Sequence, residues 1–352
     1  MNLLIVDDDI SFRTFMRQCL RELEGIQVVG TAGHGRDALL KMQQLKPNLV
    51  TLDMDMPHFN AIEILHKMQL DFPHIRVIII ASSTETDAQR TVAALEAGAY
   101  DFILKPEGKT LQHQHSFQEK LFPAMQQAQS VSKVVGLQPR KAAVNKIPAP
   151  KLLPNSSRAT RPDIVAIGSS TGGPAALHQL LTQLPANFPT PITITQHMPK
   201  MFLASLAQRI DKDSPLTCKL AQDGETLKAG RIYLAPGDTH MKIERQGVYL
   251  AIALEAGERV HHCIPAVDVT YHSLAALAPR IKTLAVVLTG MGNDGALGAK
   301  ALADKKSIVI AQDKNSSTVW GMPGETVRLG AAQEVLPLED IAQALCRHVG
   351  LS

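Results

Sequence analysis

The stretch Ile-Val-Ala-Ile-Gly-Ser-Ser-Thr-Gly-Gly-Pro at residues 164–174 decides the fold of the C-terminal half of this 352-residue chain. An apolar run rich in β-branched residues ends abruptly in small residues, and Pro174 then opens a helical spacing of apolar side chains. This pattern predicts a strand, a tight turn and a helix, the repeating unit of a parallel α/β sheet. Residues 168–172 also fit G-x-S-x-G, a turn that presents a nucleophilic serine, here Ser170, above the end of a strand. A plain strand-to-helix turn and a phosphate-binding loop are alternatives on this stretch alone.

Length and composition predict two globular domains and disfavour several classes of protein. The chain is 45% hydrophobic, and its net charge of +3 is too small to indicate nucleic-acid or membrane binding. Its four cysteines are far apart and form no C-x-x-C pair, so neither a zinc knuckle nor a disulfide framework is predicted. The sequence shows no charged leader and no apolar run of about 20 residues, so we expect a cytoplasmic chain without membrane insertion.

Strands and helices alternate over the first hundred residues. The hydrophobic patterns predict strands at 2–6, 28–30, 49–52, 77–81 and 101–104. Helical spacing covers 11–23, 35–45, 60–70 and 86–97. This alternation predicts a doubly wound parallel sheet, the first of two such domains.

Charged and hydroxyl groups follow the ends of several of these strands. They are Asp7, Asp8, Asp53, Ser82 and Lys105. Because ligands bind outside the carboxyl ends of parallel strands, we expect these groups to lie together. Crowded carboxylates favour a hard cation such as Mg²⁺, and a carboxylate beside it can attack a phosphoryl group. Any single acid could instead be a helix cap or a solvated loop residue.

Residues 1–106 resemble the receiver domain of response regulators, which has a flavodoxin-like fold. The residues that carry the resemblance are Asp7-Asp8, Asp53, Asp55-Met56-Pro57, Ser82, Phe102 and Lys105-Pro106. The resemblance implies that a histidine kinase phosphorylates Asp53. It implies that Asp8, Asp53 and the Asp55 carbonyl bind Mg²⁺, with Asp7 behind these ligands, and that Ser82, Phe102 and Lys105 form the switch. Two departures are Asn60-Ala61 in place of Asp-Gly and a third acid at Asp9.

Residues 107–162 differ in composition from both flanks. A glutamine-rich start predicts a helix over about 110–130, and prolines follow it. From Lys120 to Pro162 the chain has eight Lys or Arg and no Asp or Glu. We therefore expect a partly extended linker whose charge serves solubility or steers the chain toward an acidic partner.

The strand–helix rhythm resumes in a second domain at 163–352, which we expect to be a Rossmann-like parallel α/β sheet. Strands are predicted at 164–168, 192–196, 284–289 and 307–311, with helices at 175–184, 200–210, 267–278 and 296–303. Short alternating runs between turn signals over 216–255 predict an antiparallel excursion.

Ser170, His197 and Asp294 each follow the carboxyl end of a predicted parallel strand, so they can converge. A serine hydroxyl needs a base, histidine titrates near neutral pH, and a carboxylate orients the imidazole. The chain order Ser, His, Asp differs from that of α/β-hydrolases. Asp163 starts its strand and lies at the wrong end. The remaining candidate histidines, in predicted turns or helices, are expected to be structural or exposed: His240, His261, His262 and His272. The run His261-His262-Cys263 lacks outlying metal ligands at suitable spacing.

Five motifs occur in order over residues 163–348. They are Gly-Ser-Ser-Thr-Gly-Gly-Pro at 168–174, Thr-Gln-His-Met-Pro at 195–199, Ala-Pro-Gly-Asp-Thr-His-Met at 235–241, Pro-Ala-Val-Asp-Val at 265–269 and Leu-Thr-Gly-Met-Gly-Asn-Asp-Gly-Ala at 288–296. Together they resemble the catalytic domain of the CheB family of chemotaxis methylesterases. The resemblance implies hydrolysis of γ-glutamyl methyl esters, and deamidation of glutamines, on methyl-accepting chemotaxis receptors. It implies Ser170 as nucleophile, His197 as general base and acid, Asp294 as orienter, Met291 near the oxyanion and Thr171 lining the site, with no cofactor there.

The resemblance also implies regulation: the unphosphorylated receiver covers the hydrolase site and phosphorylation of Asp53 relieves this. Residues 261–268 depart from the family, whose members commonly have Arg and His before a Pro-Ser-Val-Asp turn. We expect receptors and a histidine kinase as partners, no nucleic acid, and a monomer. The alternatives are a non-catalytic binding module and a DNA-binding output. The latter is disfavoured because no helix-turn-helix with a basic recognition helix is evident.

Overall fold

The computed structural model describes residues 1–56, 61–106, 108, 111–132 and 161–351. The chain divides into two compact units, Met1–Val144 and Asn145–Ser352. Both contain a parallel sheet flanked by helices, which confirms the predicted fold class. Within the described ranges, no helix is both long enough and apolar enough to cross a membrane.

The first unit is built on a five-stranded parallel sheet with the order β2-β1-β3-β4-β5. Its strands are β1 (Asn2–Val6), β2 (Gln27–Ala32), β3 (Leu49–Asp53), β4 (Arg76–Ala81) and β5 (Asp101–Leu104). Its helices are α1 (Ile10–Cys19), followed by a 3₁₀ turn at Leu20–Glu22, α2 (Gly35–Leu45), α3 (Ala61–Asp71), α4 (Glu85–Glu96) and α5 (Leu111–Ser132). β3 is buried along its whole length, as expected of a central strand covered on both faces. The strand order reverses between β1 and β3, which defines the crevice where doubly wound sheets bind ligands.

Of the departures noted in the sequence, the third consecutive acid lies among the described residues of the first unit. Asp9, the third consecutive acid, is the N-cap of α1, where its side chain accepts a hydrogen bond from Ser11 N at 2.7 Å. A side-chain acceptor at this position satisfies one of the free amides of the first helical turn. Asn60 lies outside the described residues.

The helix predicted over about 110–130 is α5, and it packs against the first unit. Phe117 lies 6.2 Å from the ring of Phe12 and 5.7 Å from that of Phe15, measured between centroids. Gln118 Nε2 donates to the buried carbonyl of Cys19 at 3.2 Å. The unit therefore extends past residue 106, because an apolar side chain of this helix packs against the aromatic rings of α1. The rest of the expected linker, residues 133–160, lies outside the described residues.

The second unit contains a seven-stranded parallel sheet with the order β14-β13-β12-β6-β7-β9-β8. Its strands are β6 (Ile164–Ser169), β7 (Ile192–Gln196), β8 (Thr217–Leu220), β9 (Arg231–Leu234), β12 (Thr283–Val287), β13 (Ile308–Gln312) and β14 (Glu334–Leu336). Its helices are α6 (Gly173–Leu181), α7 (Lys200–Asp213), α8 (Val267–Leu277), α9 (Ala296–Asp304), α10 (Met322–Arg328) and α11 (Leu338–His348). β6, the strand of the opening motif, is fully buried between β7 and β12. The chain turns in opposite directions on either side of β6, so the ligand crevice lies at its carboxyl end.

The antiparallel excursion expected over 216–255 is smaller than predicted. Only β10 (His240–Gln246) and β11 (Tyr249–Glu255) pair antiparallel in this region as ladder strands, in a sheet of their own. β8 and β9 instead extend the parallel sheet. The physical reason is burial: Ile232, Tyr233 and Leu234 are all inaccessible, and consecutive buried residues are typical of a strand covered on both faces. The elements β14, α10 and α11 were not predicted.

Candidate active site and acidic cluster

The ends of three neighbouring strands bring Ser170, His197 and Asp294 to one edge of the second sheet. Ser170 N donates to the carbonyl of Thr289 at 3.0 Å, just beyond β12. His197 N donates to the carbonyl of Ser169 at 3.1 Å, so the parallel pairing of β6 and β7 continues into the site. The predicted convergence at the sheet edge is therefore present in the backbone.

His197 and Asp294 form a close side-chain pair. His197 Nε2 lies 2.7 Å from Asp294 Oδ2, and both side chains are almost inaccessible. Burial by itself would lower the pKa of His197, but its hydrogen bonds with Asp294 and Cys263 outweigh burial and raise the pKa to about 9. Burial would raise the pKa of Asp294, but the hydrogen bond from His197 and those from backbone amides keep it below the usual value.

Four hydrogen bonds hold the Asp294 carboxylate in place. Oδ2 accepts from His197 and from Val267 N, and Oδ1 accepts from Asp268 N at 2.9 Å and Gly295 N at 2.8 Å. Val267 and Asp268 begin helix α8, whose free amides suit a negative charge. Backbone amides at the start of α8 thus anchor Asp294, and its Oδ2 also contacts the imidazole of His197.

The other nitrogen of His197 faces a cysteine. Cys263 Sγ lies 3.4 Å from His197 Nδ1. The hydroxyl of Ser170 makes no hydrogen bond with another described residue, and Ser170 is half-buried. The arrangement therefore joins histidine and aspartate directly, whereas Ser170 stands beside the pair on the adjacent strand end.

Close packing shapes the turn that carries Ser170. Gln196 Nε2 donates to the carbonyls of Ser170 at 2.9 Å and His197 at 3.0 Å, which ties the two strand ends together. A Cβ at Gly173 would lie 2.0 Å from Gln196 Oε1, and one at Gly290 would lie 2.9 Å from the Ser170 Cβ. Both glycines are needed for this close approach. Sequence reasoning missed Gln196, although its place directly before the predicted base was a usable signal.

Thr171 directly follows Ser170 in the turn after β6, and Met291 lies in the loop after β12. The carbonyl of Thr171 accepts from Thr289 Oγ1 at 3.0 Å, and its side chain is buried. Met291 follows Gly290 and is 41% exposed, an unusual exposure for a large apolar side chain. Their roles at the oxyanion and in lining the site remain predictions.

The other histidines of this unit have structural or exposed positions. His240 is buried in β10, not in a turn, where Nδ1 accepts from Ala266 N at 3.2 Å. His262 and His272 are exposed. Asp163, at the amino end of β6, accepts from Lys282 N at 2.7 Å and is far along the strand from Ser170.

His261 has acidic neighbours that the sequence did not indicate. Its Nε2 lies 2.8 Å from Asp268 Oδ2 and 4.0 Å from Asp294 Oδ1. The three side chains are close enough to share a metal ion. However, backbone amides already occupy these carboxylates, with Gly298 N on Asp268 Oδ1 at 2.7 Å and three amides on Asp294. Hydrogen bonding accounts for the cluster.

The acidic groups of the first unit meet at the switch point between β1 and β3. Oxygens of Asp7, Asp8 and Asp53 lie within 4.8 Å of one another, and Asp7 and Asp53 are buried. Lys105 Nζ lies 3.0 Å from Asp7 Oδ2 and 3.0 Å from Asp53 Oδ2. The predicted cluster of three carboxylates with one lysine is therefore assembled.

Burial is the largest influence on the electrostatics of this cluster. Burial and the neighbouring Asp7 raise the pKa of Asp53 to about 6, although Lys105 lowers it. Burial also raises the pKa of Asp7. Burial would lower the pKa of Lys105, but the two carboxylates outweigh burial and raise it. One lysine thus compensates the crowded carboxylates only in part.

The remaining predicted receiver residues occupy different positions. The Asp55 side chain turns to Arg90 Nη1 at 2.8 Å, and its backbone N–H hydrogen-bonds Asp53. Ser82 is half-buried directly after β4, at the same edge of the sheet. Phe102 lies inside β5 opposite Ile79, so it is not at this edge. The switch role of these residues remains a prediction.

The donor set of the acidic cluster fits Mg²⁺. All nearby donors are hard carboxylate oxygens, and the raised pKa of Asp53 shows that added positive charge would be favourable. Asp8 is exposed and open to solvent. Asp8 and Asp53 would hold the ion, with the Asp55 carbonyl as the further predicted ligand and Asp7 behind them.

Comparisons with known proteins match both units. The family model for the CheB methylesterase matches residues 165–345, and that for the response regulator receiver domain matches residues 3–115. The chain is 37% identical to a protein-glutamate methylesterase/protein-glutamine glutaminase of Geobacillus kaustophilus, with 99% of each chain covered. It is 38% identical to the protein of that name from Thermotoga maritima, with 99% of this chain and 98% of the relative covered. Among solved structures, the Thermotoga maritima CheB methylesterase catalytic domain matches with a TM-score of 0.51 and 43% identity, covering 53% of this chain and 98% of that one.

Proposed function

We propose a function from the premise that this chain belongs to the CheB methylesterase family and carries a response regulator receiver domain ahead of its methylesterase domain. The chain is a protein-glutamate methylesterase and protein-glutamine glutaminase. It removes methyl groups from γ-glutamyl esters on methyl-accepting chemotaxis receptors, and a histidine kinase supplies the phosphoryl group that activates it. The names of full-length relatives, which cover 99% of this chain, support this activity.

One observation supports the chemistry more than any other. The His197–Asp294 pair, at 2.7 Å, lies at the carboxyl edge of a parallel sheet, and Ser170 follows the adjacent strand at the same edge, its hydroxyl without a hydrogen bond to another described residue. Histidine and a buried carboxylate in this relation activate a hydroxyl by general base catalysis. An Asp294 held by three backbone amides cannot readily move, so it fixes the ring of His197.

In the proposed mechanism Ser170 Oγ attacks the ester carbonyl and His197 accepts its proton. His197 then returns the proton to the leaving oxygen and methanol departs. A water molecule hydrolyses the acyl-enzyme by the same two proton transfers, and a glutamine side chain reacts in the same way with loss of ammonia. Because Nε2 contacts Asp294, Nδ1 is the nitrogen that exchanges the proton.

Backbone dipoles near Ser170 support stabilisation of the oxyanion. Helix α6 begins at Gly173, three residues after Ser170. A helix start beside the nucleophile favours developing negative charge. We place Thr171 and Met291 around the reacting carbonyl, where the exposed methionine can contact substrate.

Phosphorylation of Asp53 is the proposed control. A phosphoryl group adds about −1.5 to −2 charge, and Lys105, already 3.0 Å from Asp53, pairs with it. Ser82, at the same edge, responds to the new oxygens, and Phe102 inside β5 changes with it as a two-state element. When bound, Mg²⁺ neutralises charge on the phosphoryl oxygens.

Methanol release from methylated receptor membranes tests the hydrolase. We expect Ser170→Ala to lower turnover by about 10⁵-fold, because the nucleophile is lost. The matched control is Ser205→Ala, which removes a buried serine on α7 and should leave turnover near that of the wild-type chain. Sustained release by Ser170→Ala would exclude the proposed nucleophile.

Adding acetyl phosphate with Mg²⁺ tests the proposed regulation by phosphorylation of Asp53. We expect it to accelerate methanol release by the wild-type chain and to have no effect on Asp53→Asn. The control variant Asp37→Asn removes a carboxylate on α2 that pairs with Lys41, and it should respond like the wild-type chain. Equal stimulation of Asp53→Asn would rule out phosphorylation at this position as the control.

A further inference from the structure

Asp294 contacts one ring nitrogen of His197, and the other nitrogen, which would act as the base, contacts Cys263. Nε2 is 2.7 Å from Asp294 Oδ2, so only Nδ1 can accept the serine proton. Cys263 Sγ lies 3.4 Å from Nδ1. The side chains form the chain Asp294–His197–Cys263, in which sulfur stands where the nucleophile of a hydrolytic triad contacts the base.

We propose that Cys263 is a positioning residue for the hydrolase: its sulfur holds the Nδ1 edge of His197 and competes with Ser170 for that nitrogen. The proposal rests on the proposed role of His197 as base. A thiol donates a hydrogen bond to neutral imidazole, whereas a thiolate accepts one from imidazolium. In either state the nitrogen must be released before it can take the proton of Ser170.

The position of Cys263 is set by a rigid turn. Val260 and Cys263 exchange two backbone hydrogen bonds, of 3.0 and 2.9 Å. Between them, His261 and His262 both adopt positive φ, 51° and 64°, which closes the turn tightly. The His261 ring pairs with Asp268, and Asp268 N holds Asp294. One turn and the start of α8 therefore position both partners of His197.

The charges around His197 indicate what the sulfur does. Asp294 lies on Nε2 and Cys263 on Nδ1, while His261 and Asp268 lie behind Asp294. The pKa of His197 is raised to about 9 against the effect of burial, and both Asp294 and Cys263 contribute. Removing the sulfur should therefore lower the pKa of His197 and make its neutral form available at lower pH.

The other cysteines have different surroundings. Cys19 and Cys218 are buried, and burial raises the pKa of Cys218 to about 12. Cys346 is half-buried like Cys263, and burial raises its pKa. Within the described residues, Cys263 is the cysteine found in contact with an imidazole. Cys346 therefore serves as a matched control for thiol reactivity.

The contact should make Cys263 reactive toward alkylating agents. Iodoacetamide forms an S–C bond to the sulfur, iodide leaves with the electron pair of the C–I bond, and the thiol proton passes to His197 Nδ1 and then to solvent. Because the thiolate is the nucleophile, an adjacent base accelerates the reaction. The added carboxamidomethyl group would occupy the space beside Nδ1 and block the site.

The first test is the pH profile of kcat/KM for methanol release by the full-length chain. For Cys263→Ala we expect the ascending limb to move to lower pH by about one unit, with faster turnover at neutral pH. Cys263→Ser restores a hydrogen-bond donor and should return the limb toward the wild-type position. An unchanged profile in Cys263→Ala, or a uniform loss of kcat without a shift, would overturn the proposal.

The second test uses the wild-type chain, so it does not depend on a variant that folds. Mass spectrometry should show iodoacetamide modifying Cys263 about tenfold faster than Cys346, with loss of hydrolysis in step with modification of Cys263. His197→Gln should reduce the rate at Cys263 alone. Equal rates at the two cysteines, or full activity after modification of Cys263, would contradict the inference.

Failure of the proposed function can be told apart from failure of this inference. Ser170→Ala should lose methanol release but keep fast alkylation of Cys263, because the Cys263–His197 contact does not involve Ser170. Sustained turnover in Ser170→Ala would refute the role of Ser170 as nucleophile. The alkylation rate of Cys263 would still test the contact between Cys263 and His197.

Discussion

Asp53 and Asp294, the carboxylates at the edges of the two sheets, differ in how well neighbouring groups compensate their charge. Asp53 is buried beside two other acids, and burial together with the charge of Asp7 raises its pKa to about 6. Asp294 accepts four hydrogen bonds from a histidine and helix-start amides, and its pKa stays low. Both residues end up at the switch point of a parallel sheet.

This difference matches two kinds of chemistry. Because the Asp53 cluster carries excess negative charge, binding a cation or a phosphoryl group should change its electrostatics. The Asp294 carboxylate is fully hydrogen-bonded, so it should orient His197 and should not change when a cation is added. The same topological position therefore holds a partly compensated acidic cluster in the first unit and a fully hydrogen-bonded carboxylate in the second.

The largest effect on kcat should come from replacing the Asp294 carboxylate. Asp294→Asn places an amide against His197 Nε2 and favours the wrong tautomer, so we expect kcat to fall by about 10³–10⁴-fold. Steady-state methanol release measures this. Asp268→Asn is the control, because Asp268 pairs with His261 rather than His197. A loss of similar size in both variants would show that Asp294 is only a structural cap.

A divalent cation should stabilise the first unit and leave the second unchanged. At a Mg²⁺ concentration about 100 times Kd, binding to the folded state contributes about 2.7 kcal/mol. Thermal unfolding of the full chain with Mg²⁺ and with chelator, followed by hydrogen exchange in each unit, measures this. Stabilisation of both units, or of neither, would contradict the contrast between the two edges.

Removing one charge from the crowded cluster should stabilise the first unit without metal. Asp53→Asn eliminates a buried carboxylate whose pKa is raised, so we expect the free energy of unfolding to rise by about 2 kcal/mol. Chemical denaturation with chelator present measures it. For Asp294→Asn we expect the free energy of unfolding to fall, because the change weakens hydrogen bonds of the second unit. A rise similar to that of Asp53→Asn would refute the comparison.

The two units should also lose stability in different pH windows, by about 1–2 kcal/mol each. The pKa of Asp53 is raised, so its protonated form favours the fold, and the first unit loses stability as the pH rises from about 4 to about 6. The pKa of His197 is raised to about 9, so its contribution is complete below about 6.5 and lost as the pH rises through 9. Hydrogen exchange at a series of pH values, with chelator, separates the windows. A shared window would indicate that other groups control both units.

The local pattern of the sequence was sufficient for most of the elements around the sites. The predicted bounds of β1, α2, β5 and β7 coincide with those observed, because each shows a clear strand or helix period closed by polar or turn residues. The pairing of β8 and β9 was predicted wrongly, as part of an antiparallel excursion. Their pairing partners lie outside the local pattern, and the sheet accepts them in parallel.

The candidate triad followed from the same logic, but its immediate neighbours did not. Side chains directly after parallel strands must share one edge, so Ser170, His197 and Asp294 could be grouped from sequence. Gln196 reaches across two strand ends, and Cys263 arrives from a turn that carries no strand signal. Such contacts depend on where loops and rotamers lie, which local periodicity does not encode.

The sequence by itself determined the alternation of strands and helices, and with it the placement of Asp7, Asp53, Ser170 and His197 at sheet edges, because a strand's end is a local property. Only the tertiary structure decided which groups touch there. Asp294 was given its helix-start amides by α8, and His197 was given a sulfur partner by the 260–263 turn. These pairings join segments distant in the chain, so packing alone could bring them together.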